Sequence, residues 1–177
     1  MKLRIKRDKL FDKLAEPLFD SGKLDQLKQY VQHGSSTCYD HSIAVAKAAL
    51  SMSIVLPFRF CQRELVRGAL LHDYFLYDWH VTKPEKLHGF SHPYTAKENA
   101  KRDFDLTARE ENIIVRHMFP LTPVPPKYRE SILVCLADKY CATIEVFVAL
   151  GVMLKSRKII VRAARLLSLL IALLPWK

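Results

Sequence analysis

Apolar residues recur at helical spacing along almost the whole chain, and no segment shows a convincing alternation typical of a strand. The pattern predicts amphipathic helices over residues 8–19, 22–32, 36–56, 62–75, 95–103, 107–119, 128–150 and 155–174. Pro57 ends the third of these, and residues 78–93, which contain Pro84, Gly89 and Pro93, are predicted to form a long surface loop. The predicted fold class is all-α.

Three local features of the sequence refine this outline. Thr107 and Glu110 stand at capping-box spacing, which predicts that a helix begins there. Ser21 is a plausible cap for the second helix. Gly68 and Ala69 are small, so that another helix or a bound group can approach that surface closely.

Composition indicates an ordinary globular chain. The 177 residues are 50% hydrophobic and 26% charged, without repeats or an interdomain linker, which predicts one domain over residues 1–177. The four cysteines form no CxxC pair, so they are expected to be structural thiols. The first ten residues are too charged for a signal segment, so a cytoplasmic location is expected.

The net charge of +10 favours anionic partners such as phosphorylated metabolites, nucleic acid or a membrane face, although a basic solvated surface explains it equally well. Nucleic acid is disfavoured because the charges are dispersed and no stacking motif of RNA-binding proteins occurs. A small phosphorylated substrate remains the preferred partner.

Several ionisable residues fall on apolar helical faces, where an unpaired charge would be costly. They are His41, His72, Asp73, His117 and Asp138, and His92 lies at a predicted loop-to-helix junction. Each alone is most simply a hydrogen-bonded core residue. Because four separate helices point such a group toward one core, a metal site satisfies them most economically.

The series His41, then His72-Asp73, then Asp138 resembles the H…HD…D signature of the HD-domain superfamily of metal-dependent phosphohydrolases. The resemblance covers about residues 36–142 and implies a compact multi-helix bundle with a buried metal site. Tyr74 and Phe75 replace the Ile-Gly that follows the doublet in many relatives, which indicates a divergent subgroup.

His92 and His117 match the extra pair in relatives that hold two metals. The resemblance then implies that Asp73 bridges two divalent ions. The second ion is also held by His92 and His117, and the first is held by His41, His72, Asp73 and Asp138. The resemblance places His72 and Asp73 at the catalytic centre. Ligand type does not distinguish iron, manganese, cobalt, zinc and magnesium.

The implied activity is hydrolysis of a phosphate ester, of a nucleotide or another small phosphorylated metabolite, by a bridging hydroxide. Two alternatives stay open: a di-iron HD-type oxygenase with the same ligands, and an HD module that binds metal without catalysis. The presence of all six residues disfavours the second alternative.

Lys83, Lys86 and His88, in the loop between the doublet and His92, are candidate substrate-binding residues, although solvated lysines are an equally good explanation. Tyr77 and Trp79 either stack on a base or pack the loop down. Arg116 and Lys139 each stand one residue from a predicted ligand, about 100° around the helix, which favours their missing the pocket.

The predicted last helix, residues 155–174, combines a basic stripe of Lys158, Arg162 and Arg165 with an uncharged segment too short to cross a bilayer. Packing against the protein or against another subunit is the favoured interpretation. Peripheral contact with an anionic membrane is the alternative.

Overall fold

The protein is described here from a computed structural model. The structure describes residues 2–33, 36–79, 81 and 87–172, and only the backbone of the last helix from residue 158 onward. The elements in these residues are α1 (Lys2–Asp20), a 3-10 helix (Lys23–Gln29), β1 (Val31–His33), β2 (Ser36–Thr37), α2 (Cys38–Val55), α3 (Gln62–Leu71), α4 (His88–Asp103), α5 (Ala108–Arg116) and α6 (Arg129–Ala172). The all-α prediction is confirmed, with one small hairpin added.

The core forms where α2, α3, α5 and the first part of α6 pack together. Helix α2 contacts α3 and α6, α5 contacts α3 and α6, α4 covers α5, and α1 packs on α2 and α3. Leu50, Leu65, Ile113 and Val134 are fully buried where these helices meet. Removal of such side chains from water is the main term that stabilises the bundle, at roughly 1.5–3 kcal/mol for each.

Gly68 sets the distance between α3 and α5. A Cβ at this position would lie 2.6 Å from Cδ1 and 2.9 Å from Cγ2 of Ile113. The close approach expected at Gly68 is therefore present, and a side chain there would push apart the two helices that carry the HD doublet and His117.

Capping boxes begin two of the helices. The Thr37 hydroxyl accepts from the Asp40 amide at the start of α2, and the Asp40 carboxylate accepts from the Thr37 amide. Thr107 and Glu110 make the same pair at the start of α5, as the sequence predicts. Each box fixes the first turn of a helix that bears a candidate metal ligand.

The predicted loop over residues 78–93 is wrong at its end, because α4 begins at His88 rather than at Thr95. Gly89 and Pro93 suggested a loop, but the first turns of the helix are held by tertiary and ring contacts. The ring of His88 stacks on Trp79 at 4.9 Å and packs edge-on against Phe75 at 5.0 Å, and it also stacks on His92 within the helix at 4.5 Å. Helix α3 also ends earlier than predicted, at Leu71.

The predicted helix over residues 22–32 is also wrong in its second half. A 3-10 helix ends at Gln29, and Val31–His33 then pairs antiparallel with Ser36–Thr37. Ser21 accepts from the Lys23 amide, but Gly22, with a positive φ, is the N-cap. Strands of two and three residues are too short to show alternation, so only tertiary contact reveals them.

The two predicted C-terminal helices are one continuous helix, α6. Gly151 does not interrupt it, because a single glycine costs only about 1 kcal/mol in a long helix. Side chains of Lys158, Arg162 and Arg165, and residues 173–174, lie outside the described part. Among the described residues, no helix combines the length and the apolar character that a membrane crossing requires.

Candidate metal centre

All six candidate ligands meet in the core at the junction of five helices. His41 lies in the first turn of α2, His92 lies on α4 and Asp138 lies on α6. His72 and His117 are the C-cap residues of α3 and α5, and Asp73 follows His72. Every one of these side chains is buried.

The first cluster consists of His41, His72 and Asp73, with Asp138 beside them. Ligand atoms of the first three lie within 4.8 Å of one another. The Asp138 Oδ1 is 3.1 Å from the His41 Nε2 and 3.8 Å from the His72 Nε2. Two carboxylates therefore face two imidazoles in this cluster.

The second cluster consists of Asp73, His92 and His117, again with ligand atoms within 4.8 Å of one another. The Asp73 Oδ1 is 3.3 Å from the His92 Nε2 and 3.5 Å from the His117 Nε2. Asp73 is common to both clusters. Its Oδ2 is 3.3 Å from the His72 Nε2, so its two oxygens are directed at different clusters.

Gln32 holds Asp73 from the hairpin. Its amide Nε2 donates to the Asp73 Oδ2 at 2.6 Å, and its Oε1 accepts from the Cys38 thiol at 3.1 Å. Both residues are buried. The short strand β1 therefore positions the one carboxylate that the two clusters share.

Helix ends and one carboxylate orient the four imidazoles. The Nδ1 atoms of His72 and His117 donate to the carbonyls of Ala69 and Ile114 on their own helices. The His92 Nδ1 donates to a carbonyl in α4 in the same way. Such outer contacts fix the ring tautomer and leave the Nε2 lone pair available for a metal ion.

Glu145 plays this part for His41. Its two carboxylate oxygens lie 3.0 and 3.1 Å from the His41 Nδ1. Because α3 and α5 both end at these ligands, their partial negative C-terminal ends also favour a cation at the centre.

Two observations show that the residues fit a metal ion. The Nε2 atoms of His92 and His117 lie 2.9 Å apart while each ring donates through Nδ1, so two lone pairs face each other unless a proton or a cation lies between them. In addition, the buried His72 Nε2 and Asp73 Oδ1 make no hydrogen bond in the described part of the chain. Imidazole nitrogen and carboxylate oxygen together suit first-row divalent metals.

The electrostatics of the two clusters differ. Burial lowers the pKa of His41, but hydrogen bonds to Asp138 and Glu145 outweigh it and raise the pKa to about 9. Burial, together with the nearby His72, lowers the pKa of His117 to about 3. Burial opposes ionisation of Asp138, but the hydrogen bond from His41 and the nearby His72 imidazole hold its pKa well below the usual range. His41 in the first cluster therefore binds a proton more readily than a free histidine, and His117 in the second cluster binds one less readily.

A cavity of about 590 Å³ opens onto the centre. Asp73, His92, His117 and Asp138 line it on the side of the two clusters. Residues that are not candidate ligands line the remainder, among them Gln32, Trp79, His88, Met118, Leu121 and Lys139.

The predicted substrate residues have different positions. His88 lines the cavity, where it stacks between Trp79 and His92 and its Nδ1 is hydrogen-bonded to the Tyr77 hydroxyl at 2.8 Å. Trp79 thus packs the loop down through His88. Lys83 and Lys86 lie outside the described residues.

Lys139 reaches the cavity, so the expectation that it misses the pocket is wrong. Its Nζ donates to the His117 carbonyl at 2.8 Å and to the Cys135 Sγ at 3.3 Å. Gln32 and Glu145 were not anticipated. Glu145 had a weak signal, because it stands two turns after Asp138 on the same helix face, whereas nothing in the sequence indicated Gln32.

Comparison with known proteins gives one family. The profile of the HD domain matches residues 38–143, more than half of the chain. No curated protein and no solved structure gives a significant match. The chain therefore belongs to the HD domain family, which places it in a superfamily of metal-dependent hydrolases.

Proposed function

We propose that this protein is a metal-dependent phosphohydrolase that cleaves a phosphate ester of a small metabolite at a centre of two divalent ions. The observation that carries the proposal is Asp73, whose two oxygens are directed at separate ligand clusters. His41, His72, Asp73 and Asp138 would hold one ion, and Asp73, His92 and His117 the other. When bound, such ions lower the pKa of a water molecule and neutralise the charge of a phosphoryl group.

The residues of the chain supply the remaining requirements. Nδ1 contacts orient the imidazoles, and Gln32 holds Asp73 in place between the clusters. The ligand side chains that line the cavity are themselves buried, which strengthens their charge interactions with a bound phosphate. The basic net charge of +10 favours the arrival of an anionic substrate.

The test combines metal analysis with hydrolysis. Protein purified without chelator is analysed for metal content, and phosphate release from p-nitrophenyl phosphate is measured under argon with manganese, cobalt, iron(II), zinc or magnesium. About two ions per chain and release of phosphate without oxygen are expected. Two irons together with a strict requirement for oxygen would instead establish the oxygenase.

Two variants show whether the centre is responsible. Asp138→Asn removes a buried carboxylate of the first cluster and should abolish phosphate release and reduce metal content. Asp12→Asn removes an exposed carboxylate on α1 and should change neither. Full metal loading without hydrolysis of any phosphate ester would support the non-catalytic module and contradict the proposal.

A further inference from the structure

Away from the ligands, the wall of the cavity is apolar. Met118, Pro120 and Leu121, from the connector that follows α5, line it together with Ala142 of α6. These side chains donate and accept no hydrogen bonds. A polar substrate would lose its hydrogen bonds to water along this surface without replacement.

The start of α4 closes against the same wall. A Cβ at Gly89 would lie 2.9 Å from the Leu121 Cδ2 and 3.7 Å from the Met118 Cε, so the glycine allows the two segments to meet. Its sequence neighbour Phe90 is 41% exposed, and Leu87, just before α4, is 76% exposed. Two large apolar side chains on either side of Gly89 in the sequence are therefore open to solvent.

Two polar side chains on this part of the lining, Gln32 and His88, already make hydrogen bonds. Gln32 donates to Asp73 and accepts from Cys38, and the His88 Nδ1 is hydrogen-bonded to the Tyr77 hydroxyl. The hydroxyl groups of a sugar or the edge of a base would find few partners among the described lining residues.

Lys139 differs from the other lining residues outside the ligand set. Its Nζ donates to the His117 carbonyl, and it is the only lysine or arginine among the described lining residues. An ammonium group beside Asp138 and the two clusters is suited to an anionic phosphate. The cavity thus combines a charged end with an apolar end.

We propose that the substrate is a phosphate ester of an apolar alcohol, whose aryl or alkyl group lies against Met118, Pro120 and Leu121 and whose phosphate lies between the ligand clusters and Lys139. This inference rests on the proposed function. In the reaction, a water oxygen forms a bond to phosphorus and the bond between phosphorus and the ester oxygen breaks. The water proton passes to that oxygen, so that the apolar alcohol and inorganic phosphate are released.

Two phosphonates that cannot be hydrolysed test the inference without reliance on turnover. Binding of phenylphosphonate and methylphosphonate to the full chain loaded with manganese is measured by calorimetry. Phenylphosphonate should bind about tenfold more tightly, because one ring face is removed from water against the wall. Leu121→Asn should remove most of this difference and leave the affinity for methylphosphonate unchanged.

Val124 provides a matched control in the same connector. Leu121 and Val124 are both 47% exposed, but only Leu121 lines the cavity. Val124→Asn should therefore leave the affinities for both phosphonates unchanged. Metal content is measured for each variant, so that loss of bound metal is distinguished from loss of the apolar contact made by Leu121.

The outcomes separate the two proposals. Equal affinity for the two phosphonates, or an advantage of phenylphosphonate that survives Leu121→Asn, would overturn the apolar substrate and leave the phosphohydrolase standing. Failure of both phosphonates to bind the metal-loaded protein would overturn both proposals.

Discussion

The two ligand clusters share Asp73 but differ in charge. The first cluster adds Asp138 to the shared carboxylate and has Glu145 behind His41, whereas the second adds only the imidazoles of His92 and His117. The pKa of His41 is raised to about 9 and that of His117 is lowered to about 3. The difference teaches that one buried site can contain an anionic half and a nearly neutral half, and we expect the anionic half to bind a cation more tightly.

Loss of Asp73 should have the largest effect, because this residue belongs to both clusters. Asp73→Asn keeps the shape but removes the shared charge. Metal content should fall at both clusters, and affinity should drop by more than the roughly 100-fold that loss of an outer partner costs. Elemental analysis and phosphate release measure the effect, with Asp12→Asn as the exposed control, and normal metal loading of Asp73→Asn would contradict the shared role.

Removal of one imidazole from each cluster should separate them. His117→Ala should leave about one ion per chain, bound in the first cluster. His41→Ala should instead weaken metal binding at the first cluster, which we expect to be the tighter of the two. Metal content and manganese affinity are measured for the two variants side by side. An unchanged ratio of two ions per chain in His117→Ala would show that the second cluster is not a metal site.

The opposite pKa shifts predict how the stability of the metal-free protein depends on pH. The folded-state pKa of His41 lies above the unfolded value of 6.5, so its contribution is complete below pH 6.5 and is lost as the pH rises to about 9. The folded-state pKa of His117 lies below 6.5, so stability should rise from pH 3 to pH 6.5. At about 1.4 kcal/mol per pKa unit, the change is of the order of 3 kcal/mol for His41 and of the order of 5 kcal/mol for His117.

Urea unfolding across this pH range measures both slopes. His72, whose pKa is also raised, adds to the loss at alkaline pH. His41→Gln should flatten the alkaline slope and His117→Gln the acidic slope. If stability rose steadily from pH 6.5 to pH 9 in the metal-free protein, the charge difference between the clusters would be wrong.

Glu145 should have the smallest of these effects, because it acts on the first cluster only through His41. Glu145→Gln should lower the metal affinity of the first cluster by about 10- to 100-fold and leave the metal affinity of the second cluster unchanged. It should also lower the pKa of His41, which a histidine NMR titration of the metal-free protein detects. Glu16→Gln, at an exposed position of α1, is the control, and an equal loss of affinity at both clusters would contradict a role confined to His41.

Much of the site was visible in the sequence because helical phase places side chains. His41, Asp138 and the HD doublet were placed on apolar faces from their spacing alone, and all are buried. The capping box at Thr107 was equally visible, because its residues are adjacent in the chain. Interactions within one or two helical turns can be predicted in this way.

Residues that act across the fold could not be found so easily. Gln32 lies in a hairpin too short to have a periodic signal, outside the residues that match the family, and it reaches Asp73 only through the fold. Helix α4 begins at His88 against its glycine and proline signals, since packing of His88 on Phe75 and Trp79 from the preceding segment outweighs local preference. Lys139 lines the cavity and donates to the His117 carbonyl on another helix, which helical phase does not predict.

The sequence by itself determined the helical class, the buried ionisable residues and the family, because each depends on residue type and on spacing within a short segment. The tertiary structure alone decided that Asp73 lies between two clusters, that Gln32 holds Asp73 and Glu145 holds His41, and that an apolar wall faces the centre. These features depend on distances between atoms far apart in the chain. Such distances are set by the packing of whole helices, as at Gly68 and Ile113, and not by the preference of any single segment.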